Sequence, residues 1–263
     1  MITGLRRLLV TAMAVAAFAL PSVAQADKLQ DVLDAGKLRV GVLMDVAPWG
    51  FKNEAGEAAG LDIDLARLMA ADMGVELELV QVTGASRIPS LLADKVDVLI
   101  AAAGATPERA QQVAFSQPYA AVDLGVYGPK GIAAAEDPKA LSGHSIAVAK
   151  GTTLDLWLTE NAPDAQYVRF EDAPSAVAAY LSGQAEMFAE NSAIARTVSQ
   201  QNPGKEVELK FLIRQSPAHV VIQHGQPDLL NWINTFLYYN RLNGKLAKLQ
   251  TTWFGAAQQL PLM

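Results

Sequence analysis

The chain has no cysteine and only three histidines among its 263 residues. The first absence excludes disulfide scaffolds, thiolate metal sites and cysteine nucleophiles, and His144, His219 and His224 are too scattered to give a zinc-ligand spacing. Positive charge is also scarce. With 21 Lys and Arg against 27 Asp and Glu, a formal net charge of -6 and no basic run, the footprint needed to hold a nucleic-acid backbone is missing. Charged residues make up only 18 % of the chain and apolar ones 51 %, a balance that excludes disorder and requires packed cores. There is no nucleophile elbow and no phosphate-binding glycine loop. No cofactor or metal is expected.

The first 26 residues read as an address label. Arg6 and Arg7 precede the run 8–20, which is apolar except for Thr11, and Ala24, Gln25 and Ala26 supply a small-x-small cleavage pattern. The run falls short of the roughly 20 apolar residues of a membrane span, and Pro21 breaks it. A cleaved signal peptide over 1–26 is expected, with a mature chain starting at Asp27 and no cysteine after the run to carry a lipid. Loss of Arg6 and Arg7 leaves 19 basic against 27 acidic residues, a net charge of -8. The expected location is the periplasm, by either the general or the twin-arginine route.

From residue 27 onward strands and helices alternate. LRVGVL over 38–43 reads as a strand, GLDIDLARLMAADMG as a helix ended by Gly74, 75–80 as a strand, 87–93 as a short helix and VDVLIA over 96–101 as a buried strand. Thr106 followed by Pro107 is a capped helix start. After Gly143 the order repeats, with strands at 145–149, 166–170 and 186–189 and helices at 152–160, 174–182 and 192–200. VELKF and HVVIQ read as two later strands, and helices over 228–242 and 245–253 close the chain. Two α/β units of about 100 residues follow, with a ligand cleft expected between them at the carboxyl ends of strands.

Six stretches carry a resemblance: LRVGV, AGLDIDLA, SRIPSLLADKVDVLIAA, TPERAQQVAFSQPYA, SIAVAKGTT and SGQAEMFAEN. In this order they resemble the periplasmic amino-acid-binding proteins of ABC importers, solute-binding protein family 3, over nearly the whole mature chain. The resemblance implies an α/β fold of the type II periplasmic binding protein kind, two lobes each with an open sheet flanked by helices, joined by two hinge strands. Lobe one would take 27–121 and 218–263 and lobe two 122–217, with crossings near 120–123 and 215–218. Such lobes close on a ligand by hinge motion. The implied partner is an ABC permease complex in the inner membrane, and the protein is expected to be a monomer.

Site residues follow from the same resemblance. Arg109, in the T-x-x-R segment, would grip the ligand α-carboxylate through paired guanidinium donors, although a first-turn arginine paired with Glu108 has the same spacing. Arg87 stands 22 positions earlier, as in members that take acidic amino acids, and would meet a side-chain carboxylate unless it is a surface residue. Leu43 falls where binders of cationic amino acids carry an aspartate, so lysine and arginine are disfavoured as ligands. Ala102 and Gly104 stand where hydroxyls are usual and leave only backbone groups. Trp49 would be an aromatic wall or a core aromatic. Gly151, Thr152 and Thr153 would offer N–H and hydroxyl groups from lobe two, or simply cap a helix. Asn191 replaces the aspartate that pairs with the ligand ammonium; it supplies no charge and could instead cap the helix at Ser192. Glu190 could restore the charge, but neighbouring strand residues face opposite ways. Two guanidiniums with no assured ammonium partner favour an anionic or polar ligand.

Two other classes stay open. Exported cyclohexadienyl dehydratases resemble these proteins, and Glu190 is the residue that could serve as their buried acid. A ligand-sensing partner of a membrane receptor would use the same site. Asp62 and Asp64, at a helix start, read as favourable to the helix dipole.

Overall fold

The computed structural model describes residues 27–257 and Leu260. The signal-peptide expectation over 1–26 lies outside the described residues. Asp27 caps α1 (Lys28–Ala35) by accepting from Leu29 N–H, and Gly36 ends the helix in the left-handed region. β1 (Lys37–Val42) follows, then the small antiparallel sheet β2 (Asp45–Val46), β3 (Gly50–Lys52) and β4 (Ala58–Ala59). Next come α2 (Leu61–Met73), β5 (Glu76–Gln81), α3 (Arg87–Leu92), β6 (Val98–Gly104), α4 (Pro107–Ala110) and the long strand β7 (Val113–Gly128). A second run holds β8 (Ser145–Ala149), α5 (Thr153–Asn161), β9 (Gln166–Phe170), α6 (Ala173–Ser182), β10 (Met187–Asn191) and α7 (Ser192–Gln201). The long strand β11 (Glu208–Gln223) then leads to α8 (Pro227–Leu242) and α9 (Lys245–Phe254).

Eight strands join in the order β5-β1-β6-β11-β7-β10-β8-β9. β1 pairs in parallel with β5 and β6, and β8 in parallel with β9 and β10, so each end of the sheet has parallel character. The middle is antiparallel. β7 and β11 are 16 residues each and pair along their whole length, with β6 beside the last part of β11 and β10 beside the last part of β7. Helices cover the sheet because its strands are apolar on both faces: β6 and β8 are buried almost throughout and β10 entirely.

The shared strands are irregular in the middle. Ala120 to Asp123 lie opposite Ala218 to Gln215 in unbroken register, with Pro217 inside this stretch and Pro118 two residues before it, neither able to donate to the ladder. The register slips on either side of His219. Ser116 repairs part of the slip: its hydroxyl accepts from Val220 N–H at 3.0 Å, and its carbonyl lies 2.7 Å from the His219 ring. Bulges and prolines bend a sheet without ending it.

Three expectations change. VELKF and HVVIQ are one strand, β11, because the polar stretch between them keeps its pairing with β7. β7 itself is absent from the pattern reading, since its run of alanine, glycine and proline carries no alternation. β6 starts at Val98, not Val96, because the Asp97 side chain binds the Arg39 backbone N–H at 2.8 Å and its guanidinium at 2.6 Å at the strand's edge.

Candidate functional site

A cleft with about 710 Å³ of empty space, partly open to solvent, lies over the middle of the paired strands β7 and β11. One wall comes from the elements around β1, β6 and α3: Leu43, Asp45, Val46, Trp49, Thr83, Gly84, Arg87 and Ala102. The opposite wall comes from the β8–β10 side, with Thr152, Thr153, Asp172, Glu190 and Asn191, and the floor from Val122, Leu124, Ser216, Pro217 and Ala218 of the crossing strands. The chemistry sits at the carboxyl ends of β1, β6, β8 and β10, where a parallel sheet exposes its open edge.

Ala102 is the strained point. It adopts φ +48°, a conformation unusual for a residue with a side chain. Two buried groups hold it there. The Asp62 carboxylate accepts the Ala102 N–H at 2.9 Å and the Tyr119 hydroxyl at 2.7 Å, while Arg87 donates to the carbonyls of Ala101 at 2.6 Å and Ala102 at 3.4 Å. Asp62 is fully buried, which pushes its carboxyl up to about 7 against the opposing pull of Tyr119, Ala102 N–H and Arg87. The dipole explanation for Asp62 is therefore insufficient. It shares a helical face with Ala66, Met69 and Met73, all buried, a phase visible in the sequence; Asp64 lies off that face and binds Arg67 and Trp253.

Arg87 is buried rather than a surface residue, and burial lowers its basicity. Arg109 is also buried, so pairing with Glu108 in solvent is not its role. Thr106 caps α4 by accepting from Arg109 N–H, fixing where the side chain departs. Its guanidinium donates to Gly104 O at 2.9 Å and to Gly151 O at 2.8 Å, spanning the two walls of the cleft. Burial first, then the positive charges of Arg87 and Arg214, bring its acidity to about 9. Neither arginine has a carboxylate in salt-bridge range among the described residues. In this state Arg109, Gly104 and Gly151 form a bridge beside the cavity rather than lining it. Gly104 needs to be small there: a Cβ would come within 2.8 Å of Ser216 Oγ.

On the opposite wall Thr152 caps α5, accepting from Asp155 N–H and donating to Ala149 O. Asp155 Oδ2 takes the Gly151 N–H at 3.1 Å, so that donor is already used. Thr153 lines the cleft. Asn191 caps α7, its Oδ1 accepting from Ala193 and Ile194 N–H at 3.1 Å each. Glu190 does not face away from it, as strict alternation requires. Its Oε2 accepts from Asn191 N–H at 2.8 Å and from Asn191 Nδ2 at 3.1 Å, so both side chains turn into the cleft. Burial raises the Glu190 carboxyl to about 7, with Asn191 N–H and Arg87 pulling the other way. Trp49 is 1 % exposed and packs edge-on against Tyr119 and Phe254; its indole N–H is buried without a partner among the described residues.

Seven of the ten expected residues thus line one cleft: Trp49, Arg87, Ala102, Thr152, Thr153, Glu190 and Asn191. Sequence reasoning missed Asp62, Tyr119 and Ser216, and also Asp45 and Asp172, which line the cleft and repel one another, raising the Asp45 carboxyl after its burial has done so.

Residues 38–256 match the model of the bacterial extracellular solute-binding proteins, family 3. The chain belongs to this family. It is 29 % identical over 231 residues to the ABC transporter glutamine-binding protein of Bacillus subtilis, covering 86 % of this chain and 84 % of the relative. It is 27 % identical over 247 residues to the L-cystine-binding protein of Escherichia coli, covering 92 % and 91 %. Among solved structures, a mutant of ArgBP from T. maritima superposes with a TM-score of 0.81 at 31 % identity, covering 87 % of this chain and 99 % of that one; ArgBP has also been solved with arginine bound. Family and neighbours share the two-lobed periplasmic binding protein fold, into which the crossing strands β7 and β11 fit as the connection. No helix among the described residues is long and apolar enough to cross a membrane.

Proposed function

We propose that the protein is an extracytoplasmic solute-binding protein that captures an amino acid with a polar or acidic side chain and delivers it to an ABC importer of the inner membrane. The observation that carries this reading is the pair of buried guanidiniums, Arg87 and Arg109, neither with a carboxylate in salt-bridge range among the described residues and Arg109 with none acting on it from the cleft. A buried cation without a directly paired counter-charge is costly, and a bound carboxylate supplies one with matched bidentate geometry. Arg109 takes the α-carboxylate, exchanging its contacts with Gly104 O and Gly151 O, and the first turn of α5 at Thr152 and Thr153 adds donors from the other side. Arg87 faces the ligand side chain and Trp49 closes one wall.

The lobes in this reading are 27–121 with 218–263, and 122–217. Their hinges are 120–123 and 215–218, a stretch of paired strand that carries Pro217 and is flanked by register slips at 212–214 and 218–219. Export through a cleaved leader, action as a monomer and binding without turnover belong to the same reading; the relatives named above as binding proteins support the last. A thermal-shift screen over the amino acids and small organic acids tests it. A ligand at about 100 times its Kd adds about 2.7 kcal/mol to the folded state. Stabilisation by one amino acid, recovered chemically unchanged, is the expected result; no stabilisation by any, or conversion of the bound compound, counts against it.

A further inference from the structure

We propose that Glu190, rather than Asn191, receives the ammonium group of an α-amino-acid ligand, and that Asn191 holds Glu190 in place. The inference rests on the binding-protein reading above and adds to it the requirement for an amine.

The acceptor capacity of the Asn191 side chain is used up. Its Oδ1 accepts two N–H groups of α7, from Ala193 and Ile194, and its Nδ2 donates to Glu190. An amide oxygen has two acceptor sites, and a helix cap occupies both. Glu190 is the opposite case. It is 4 % exposed and lines the cleft, yet only Oε2 is engaged; Oε1 takes no hydrogen bond from the described residues. A buried carboxylate with a vacant acceptor aimed at a ligand cavity is an ammonium site.

Geometry explains how position 190 comes to face the cleft. Alternation assigns residues 190 and 191 to opposite faces of a strand, but β10 ends at Asn191, which is also the cap of α7. Glu190 therefore curls forward along the chain, and its carboxylate closes on the next residue's N–H. The turn of the chain into the helix and the turn of the side chain into the cleft are one arrangement, and the Asn191 side chain belongs to both halves of it.

Charge points the same way. Arg87, from α3, faces Glu190 across the cleft, and Tyr127, on the neighbouring strand β7, lies in its field; no other charged group among the described residues acts on it. Arg109 for the α-carboxylate and Glu190 for the α-ammonium then complement both ends of a zwitterion. A carboxylate lacking the amine would leave Glu190 buried against the ligand without a partner, a repulsive element that enforces specificity. Because Glu190 must be ionised to receive an ammonium and burial sets its carboxyl near 7, amino-acid affinity falls as the solution is acidified.

The test uses the mature chain and two probe pools: the proteinogenic L-amino acids with cystine, and the matching acids lacking the α-amine. The amino-acid pool should stabilise the wild type and the deaminated pool should not. The best-binding member of the amino-acid pool should lose about 100-fold in affinity from pH 8 to pH 5 by calorimetry. Glu190→Gln, which keeps an acceptor for Asn191, should lose at least about 100-fold at pH 8. Asn191→Ser, which keeps a capping oxygen, should lose less than about 10-fold. Equal binding of both pools, a flat pH profile of the wild type, or a larger loss from Asn191→Ser than from Glu190→Gln overturns the proposal and leaves carboxylate capture standing. If only the deaminated pool stabilises the wild type, Glu190 is refuted while the clamp at Arg109 survives; if neither pool does, the binding reading falls and this inference with it. The wild-type pH profile keeps the proposal open to refutation even if Glu190→Gln fails to fold.

Discussion

Replacing Asp62 by asparagine should change how stability depends on pH, and the structure sets both sign and size. Asp62 is fully buried, and its carboxyl is held near 7 instead of 3.8. Below about pH 4 it is protonated in the folded and unfolded chains alike and contributes no pH dependence. Between about pH 4 and pH 7 the unfolded chain has lost this proton while the folded chain keeps it, so the group's contribution falls by about 1.4 kcal/mol per pH unit. The loss is on the order of 4 kcal/mol by pH 7 and is constant above it. Asparagine keeps both hydrogen bonds: its carbonyl can accept Ala102 N–H and its NH2 can donate to the Tyr119 oxygen, which retains the φ +48° geometry of Ala102. The variant and the wild type should thus be similarly stable near pH 4, with the variant ahead by up to about 4 kcal/mol near pH 8. Glu190 is present in both proteins and cancels from the difference. Urea denaturation followed by circular dichroism at several pH values reads this directly. Parallel stability curves across the range would mean that Asp62 is ionised at no cost in the folded state, and the account of the Ala102 network would be wrong.

Other consequences are as direct. Arg109→Ala should leave the far-UV spectrum unchanged and weaken ligand binding by about 2–5 kcal/mol, since it removes one partner of a buried charge-assisted pair; near-wild-type affinity by calorimetry would end the clamp assignment. Saturating ligand should reduce the radius of gyration in solution scattering, because each wall of the cleft comes from a different end of the sheet; an unchanged value would contradict hinge closure. Gly60→Ala should destabilise the fold by more than about 2 kcal/mol, read as a lower melting temperature, because the residue sits at φ +125° with the Trp49 carbonyl 2.2 Å from where a Cβ would be.

How much of this was legible in the sequence depended on the kind of signal. Segments with strong local chemistry were placed well: Ser145–Ala149 and Gln166–Phe170 are strands as expected, and Thr106, Thr152 and Asn191 are caps because their oxygens have no better use at a helix start. What failed was non-local. The length of β7 and β11 follows from their pairing with each other, which overrides Pro118 and Pro217, and no window of either sequence contains that information. Asp62 looked like a dipole residue because its partners, Tyr119 and Ala102, are 57 and 40 positions away. The orientation of Glu190 is left open by the sequence for a related reason: alternation holds inside a strand, and β10 ends one residue later.

The inward orientation of Glu190 changes the expected ligand. Two buried arginines with a neutral Asn191 favoured an anion, but Glu190 in the same cavity offsets Arg87, and Asp45 and Asp172 add negative charge to the cleft lining. Arg109 remains as the cation without a carboxylate beside it in the cleft, and one α-carboxylate satisfies it. A second ligand carboxylate would meet the repulsion of the two acidic lining residues and share Arg87 with Glu190, whereas an uncharged amide can accept from Arg87 and donate to the cleft without that repulsion. L-glutamine should therefore bind at least about tenfold more tightly than L-glutamate near pH 8, the difference shrinking toward pH 5 as Glu190 gains its proton and Arg87 is freed for an anion. Competition calorimetry with the two amino acids measures the ratio. Preference for glutamate at pH 8 would show that Arg87 acts as a free cation in the cleft and that Glu190 does not neutralise it.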